Sequence, residues 1–146
     1  MERPATSCSP RIVPIDEEGC WRLMPTAPLG RVGLTEGALP VILPVHFTVR
    51  EPEVVFASLP DVKIRSADRG DILVFQVDHY DPSTGQGWAV NAIGPARRVT
   101  QPEEIRHLHG LDFTPWSWDD RVSYVAIRPD VFRGRRLVNR GAGPSS

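Results

Sequence analysis

The stretch Leu39–Lys63, LPVILPVHFTVREPEVVFASLPDVK, reads as two extended runs, Leu39–Val49 and Val54–Leu59, joined by the charged turn Arg50-Glu51-Pro52-Glu53. Pro60-Asp61 then breaks the chain, and a short helix over Val62–Arg69 opens with Lys63 in its first turn. A strand that ends in the small pair Ala57-Ser58 and feeds a helix N-terminus is a candidate phosphate cradle. Free backbone N–H groups and the helix dipole favour an anion there, and Lys63 adds a full positive charge. The plainer alternative is a surface lysine on an amphipathic helix, and this segment alone leaves both open.

Outward from that stretch, the chain has the size of one domain: 146 residues, long enough for a sizeable core. Its net charge of -1 gives neither sign the upper hand, so bulk electrostatics point to neither nucleic acid nor a membrane surface. The one local excess is a C-terminal run of Arg133, Arg135, Arg136 and Arg140, read as a basic tail. No apolar run reaches membrane-spanning length, and Met1-Glu2-Arg3-Pro4 does not open a signal peptide. Cys8 and Cys20 form no CxxC pair, so both are expected as free thiols of a cytoplasmic protein. The 15 prolines, about twice the usual share, suit a curved β-structure better than a helical bundle.

Residues 1–13 are expected as a loose leader, 14–138 as the folded domain and 139–146 as a flexible tail. Asp16 can cap a short helix to Met24, with Ile15 stapled onto Cys20. Gly30–Thr35 is a short strand, and Glu36-Gly37 turns into the long second strand. Gly70 suits the end of the Lys63 helix, and Ile72–Tyr80 is the clearest strand in the chain. After the turn cluster Asp81–Gly87 comes a strand over Trp88–Val99. Thr100-Gln101-Pro102-Glu103 reads as a capping box, and Ser123–Arg128 as a final strand. The expected fold class is mainly β: a six-stranded, mostly antiparallel barrel with three short helices. Its core draws on Val32, Leu34, Val41, Leu43, Val54, Phe56, Leu73, Phe75, Val77, Val90, Ala92, Val125 and Ile127.

Residues able to carry chemistry are few. No nucleophile elbow, Walker A or HExxH motif occurs, so no catalytic residue is assigned. Asp78, His79 and Asp81 form a trio with metal-ligand chemistry, but strand alternation sends Asp78 and His79 to opposite faces, and no metal is expected. His107 and His109 read as solvated residues on a helix. His46 lies among apolar neighbours, either as a hydrogen-bonded core residue or at a site. Trp88, Trp116 and Trp118 either pack or wall a ring-shaped ligand.

Taken in order, GRVGL (Gly30–Leu34), LPVHF (Leu43–Phe47), VVFAS (Val54–Ser58), Lys63 and VFQVDHYDPSTGQGWAV (Val74–Val90) resemble the pyridoxamine 5'-phosphate oxidase-like family. Gly94-Pro95-Ala96, Ile127-Arg128-Pro129 and Gly134-Arg135-Arg136 extend the resemblance, which runs from about Asp16 to Leu137. It implies a six-stranded split barrel, a homodimer, and FMN bound between subunits. By position, Val45 and His46 would lie along the isoalloxazine or ribityl chain, Phe56, Ala57 and Ser58 would line the end of the third strand, and Lys63 would hold the phosphate. Trp88 and Ala89 would approach from the fifth strand of the partner subunit. The chain departs from its relatives at His46, Gln76, Val62 and Pro60-Asp61, which implies a weaker phosphate grip. The expected function is an FMN-dependent oxidoreductase that passes hydride to or from a small molecule. The alternatives are a deazaflavin-dependent reductase and a non-catalytic flavin- or haem-binding module.

Overall fold

The structure, a computed structural model, describes residues 10–139. Nine strands and three helices follow one another as β1 (Pro10–Ile15), α1 (Glu17–Leu23), β2 (Gly30–Glu36), β3 (Leu39–Val45), β4 (Phe47–Arg50), β5 (Glu53–Ser58), α2 (Val62–Arg69), β6 (Ile72–Asp81), β7 (Gln86–Arg98), α3 (Pro102–Leu111), β8 (Ser123–Ile127) and β9 (Val131–Asn139), with a 3-10 turn at Met24–Thr26. The main path of the sheet is β3-β2-β6-β7-β8-β5-β4, and β9 joins β7 to β1. Every pairing is antiparallel. The expected mainly-β antiparallel architecture is present.

β7 organises the sheet. Along its first part it pairs with β6 and β9, while Ala96, Arg97 and Arg98 pair with β8. It thus belongs to both halves, and the sheet curls around one apolar interior. Val32, Val54, Phe56, Leu73, Phe75, Val77, Val90, Ala92, Val125 and Ile127 fill that interior together with Trp21 and Met24 of the first helical segment. At roughly 1.5–3 kcal/mol per buried large side chain, this cluster dominates the energetics. Val41 and Leu43 are only half-buried, because β3 ends the strand order and lacks a neighbour on one side. A second cluster, Val55, Ala57, Val99, Leu108, Tyr124 and Ala126, packs α3 onto the other face of β5 and β8.

The strand count exceeds the expected six for local reasons. The long run Leu39–Val49 divides at His46, since β3 pairs with β2 whereas β4 pairs with β5, and one straight strand cannot follow both. Residues 10–13, expected in a loose leader, form most of β1, and the expected basic tail supplies β9 through Arg133, Arg135, Arg136 and Asn139. Those two segments pair with each other over six positions. Their alternation is hidden by prolines on one side and arginines on the other. Cys8 and Arg140 lie outside the described residues.

Helix ends follow local chemistry. The Asp16 carboxylate accepts from Gly19 N–H at 2.8 Å, as expected, and Cys20 packs beside Ile15. Gly70 closes α2 in the left-handed region, φ 72°. The capping box at Thr100 is absent: the N-cap is Gln101, held extended at φ -73°, ψ 125°, with Pro102 as the first helical residue. A residue before proline disfavours the helical basin, so the helix starts one position later than the box requires. No helix among the described residues is long and apolar enough to cross a membrane.

Candidate functional site

Six of the eight expected site residues gather where β3 and β5 end and α2 begins. Val45 ends β3 and is buried, and His46 is the crossing residue after it. The His46 carbonyl accepts from Ala57 N–H at 3.0 Å, which ties the crossing to β5. Its imidazole meets Trp116 edge-on, ring centroids 5.4 Å apart. Phe56 and Ala57 point to opposite faces of β5. Phe56 fills the main core and Ala57 the second cluster, so neither side chain lines an open groove in the isolated chain. The cause is the period of two in a strand buried on both faces, which leaves the backbone of this strand end as the part that can face a ligand.

Ser58, Asp61 and Lys63 form the polar part. Ser58 ends β5 buried at 1% exposure and donates to the Leu59 carbonyl at 2.6 Å, with the Asp61 carboxylate 3.2 Å away. Asp61 caps α2: one carboxylate oxygen accepts Lys63 N–H at 2.8 Å. The other pairs with Lys63 Nζ, and the lysine itself is only 8% exposed. Lysine is almost never buried unpaired, and here its partner is two residues away. The surface-lysine alternative is therefore set aside. The sequence marks Asp61 only as part of a chain break; the signal for its pairing is the D-x-K spacing behind a proline, with aspartate a favoured N-cap.

Trp88 and Ala89 lie elsewhere. Ser58 pairs with Ser123 on β8, beyond Val125, the partner of Arg98 on β7, so Ser58 lies past the Arg98 end of β7, whereas Trp88 lies near its Gln86 end. At about 3.3 Å per residue this puts the two groups at opposite ends of the strand. Trp88 and Ala89 also face opposite ways. Trp88 sits in a cross-strand row with His79 and Arg136 and packs against the core rim, while Ala89 sits between Asp78 and Arg135 on the outer face. One chain thus does not bring the eight residues together, and two of them cannot share a groove through their side chains.

Beyond the expected residues, His109 is not simply solvated: its Nδ1 lies 2.7 Å from the hydroxyl of the buried Tyr124. Burial pushes the Tyr124 hydroxyl above its ordinary pKa, with Asp112 adding to the effect. Asn91 Oδ1, two residues along the outer face from Ala89, is a buried acceptor with no donor among the described residues.

A family model described as pyridoxamine 5'-phosphate oxidase matches residues 16–136. The chain belongs to the pyridoxamine 5'-phosphate oxidase-like family. An uncharacterized protein of Mycobacterium tuberculosis is 30% identical over 141 residues, covering 93% of this chain and 92% of that protein. The solved FAD binding protein of Mycobacterium smegmatis is 27% identical, with a TM-score of 0.71, over 85% of this chain and 98% of its own. A candidate pyridoxamine 5'-phosphate oxidase of Corynebacterium glutamicum, 23% identical over 88% of this chain and 99% of its own, superposes with a TM-score of 0.76 and shares the fold.

A flavin bound as in this pyridoxamine 5'-phosphate oxidase-like family needs an anion seat, and the donors at the head of α2 fit one. Lys63 N–H and Lys63 Nζ both donate to the Asp61 carboxylate, and the Ser58 hydroxyl, which donates to the Leu59 carbonyl, lies 3.2 Å from it and can turn to an anion there. A phosphate there would take the place of the Asp61 oxygens, so it would have to displace them.

Proposed function

We propose that the protein is a flavin-dependent oxidoreductase, with FMN as the flavin, acting as a homodimer. The observation that carries this reading is the buried Lys63 with Ser58 and the first turn of α2, a donor set already shaped around an anion, in a chain of this family. The FAD-binding relative supports flavin as the cofactor class. When bound, the flavin would supply the hydride chemistry, which agrees with the lack of an acid/base pair in the sequence.

The chain's own contribution is binding and orientation. Lys63 and Ser58 would hold the phosphate, while the Val45-His46 crossing, fixed by its bond to Ala57 N–H, would lie along the rest of the cofactor. Phe56 and Ala57 support this wall from behind by packing. Trp88 and Ala89, at the far end of β7, would complete the site from the partner subunit.

The dimer reading has its own support. On the outer face of β2, β3, β6 and β7, Ile42 (72%) and Ile72 (60%) are exposed, with Val74 and Ile93 beside them in one apolar patch. Contiguous apolar surface of this kind marks an interaction site.

Protein purified from its native host should be yellow and release FMN on denaturation. A colourless protein that binds no flavin on titration would reject the proposal. A second reading, a flavin-binding module without turnover, is favoured by Asp61, whose carboxylate offsets the Lys63 charge. Steady turnover of NAD(P)H with any acceptor would exclude it.

A further inference from the structure

The flavin reading makes no use of the chain between α3 and β8, which carries two tryptophans in different settings. Its own polar groups order this segment. Asp112 ends α3 in the left-handed region, φ 50°, and its carboxylate accepts from the Ser117 hydroxyl at 3.0 Å. Thr114 is buried, and its hydroxyl oxygen accepts from Trp116 N–H at 3.2 Å. The Trp116 carbonyl in turn accepts from Asp119 N–H at 2.9 Å. Phe113 packs on Tyr124 in the second cluster, which anchors the segment to β8. Held this way, Trp118 is 78% exposed, whereas the Trp116 ring is half-buried against His46.

Strand register explains that contact. Phe47 pairs with Phe56, so His46 stands opposite Ala57, and Ala57 pairs with Tyr124. His46, Ala57 and Tyr124 thus form one row on the face that α3 and the segment after it cover, one position from Ser58 at the end of β5. A histidine kept for the core would bind its nitrogens within the fold. The His46 imidazole makes no hydrogen bond among the described residues, so packing sets its orientation and neither nitrogen is committed to a protein partner. Its ring partner is the Trp116 indole, at 5.4 Å between centroids and 84° between planes. Rings in that edge-to-face arrangement attract through their quadrupoles.

We propose that Trp116 is a positioning residue of the flavin seat: it holds the His46 imidazole, and with it the crossing along which the ring part of the cofactor would lie. The inference rests on the flavin reading. Trp116 thus acts on the ring end of the cofactor, whereas Lys63 acts on its phosphate.

The test titrates FMN and riboflavin into the full-length protein by fluorescence and follows the histidine rings of the flavin-free protein by NMR. In Trp116→Leu the His46 ring signals should move, and both flavins should bind more weakly by the same factor, roughly three- to tenfold, the contribution of one edge-to-face pair. Trp116→Phe keeps an aromatic partner and should stay within about twofold of the wild type for both flavins. His46→Ala should weaken both flavins at least as much as Trp116→Leu, and adding Trp116→Leu to it should weaken them no further. Trp118→Leu, exposed in the same segment, should leave signals and affinities unchanged. Unmoved His46 signals, a loss confined to FMN, a Phe variant as weak as the Leu variant, or an additive loss in the double variant would each overturn the proposal. Wild-type protein that binds neither flavin removes the flavin reading and this proposal with it. Wild-type protein that binds FMN, with Trp116→Leu binding it equally well, removes this proposal alone.

Discussion

The two ends of β7 carry similar residue types in opposite electrostatic states. At the α2 end a lysine is buried at 8% exposure and its charge is met by Asp61 within the same turn. At the Trp88 end Arg136 is exposed in a cross-strand row with an indole, and its side chain meets no carboxylate among the described residues. The first arrangement neutralises a buried cation within one turn, and the second leaves a cation to solvent. A buried cation is tolerated only with a partner, so the α2 end must exchange one anion for another, whereas the exposed end can wait in water.

The largest expected effect breaks the α2 end. Lys63→Ala removes a charge-assisted contact, and FMN affinity should fall by about 1.5–3 kcal/mol, roughly 10- to 150-fold, in a fluorescence titration. Riboflavin, which lacks the phosphate, should be nearly indifferent to the change.

The next effect is structural and belongs to the Trp88 end. A Cβ at Gly87 would clash with the His79 carbonyl oxygen and lie 3.0 Å from Tyr80 Cα. Backbone cannot yield as a flexible side chain does, so Gly87→Ala should lower stability by about 1–3 kcal/mol in denaturant melts. Flavin-phosphate recognition, if it belongs to α2, should keep its FMN-to-riboflavin ratio in this variant.

A control away from both ends sharpens the contrast. Arg97 bridges Glu53 at 2.9 Å and Glu104 at 3.2 Å, and Arg50 also reaches Glu104, which ties α3 to the sheet. Arg97→Ala should cost about 1 kcal/mol and leave flavin affinity unchanged. The hydrogen bond from Arg97, aided by the Arg97 and Arg50 charges, holds the Glu104 carboxyl below its ordinary pKa. A depressed carboxylate pKa stabilises the fold above the unfolded value and is lost as pH falls through the folded one. The Arg97 contribution should therefore be full at neutral pH and fade below about pH 4.5 in acid melts.

The smallest effect is the most diagnostic of the comparison. Asp61→Asn keeps a good N-cap but frees the lysine charge, so FMN should bind several-fold more tightly while riboflavin does not change.

Much of the fold was legible in the sequence because its signals are local. Eleven of the thirteen expected core positions are buried, since alternation in β2, β5, β6 and β7 is strict wherever a strand has the interior on one side. Gly70 and Asp16 were legible as helix ends because their roles need no tertiary partner. The pairing of β1 with β9 was not, because it joins residues more than a hundred positions apart that carry prolines and arginines instead of an apolar alternation. The candidate site was legible in its residue types but not its arrangement. Sequence placed Trp88 and Ala89 in one group, and a strand necessarily turns adjacent residues to opposite faces. It read Lys63 as a free cation, whereas burial required the neighbouring Asp61 to neutralise it.

A crystal structure of the flavin-loaded protein tests this account most directly. The account predicts the phosphate at the head of α2, within hydrogen-bond reach of Lys63 Nζ and Ser58 Oγ, with the Asp61 carboxylate swung away from the lysine. A phosphate bound elsewhere, with the Asp61–Lys63 pair still intact, would contradict it.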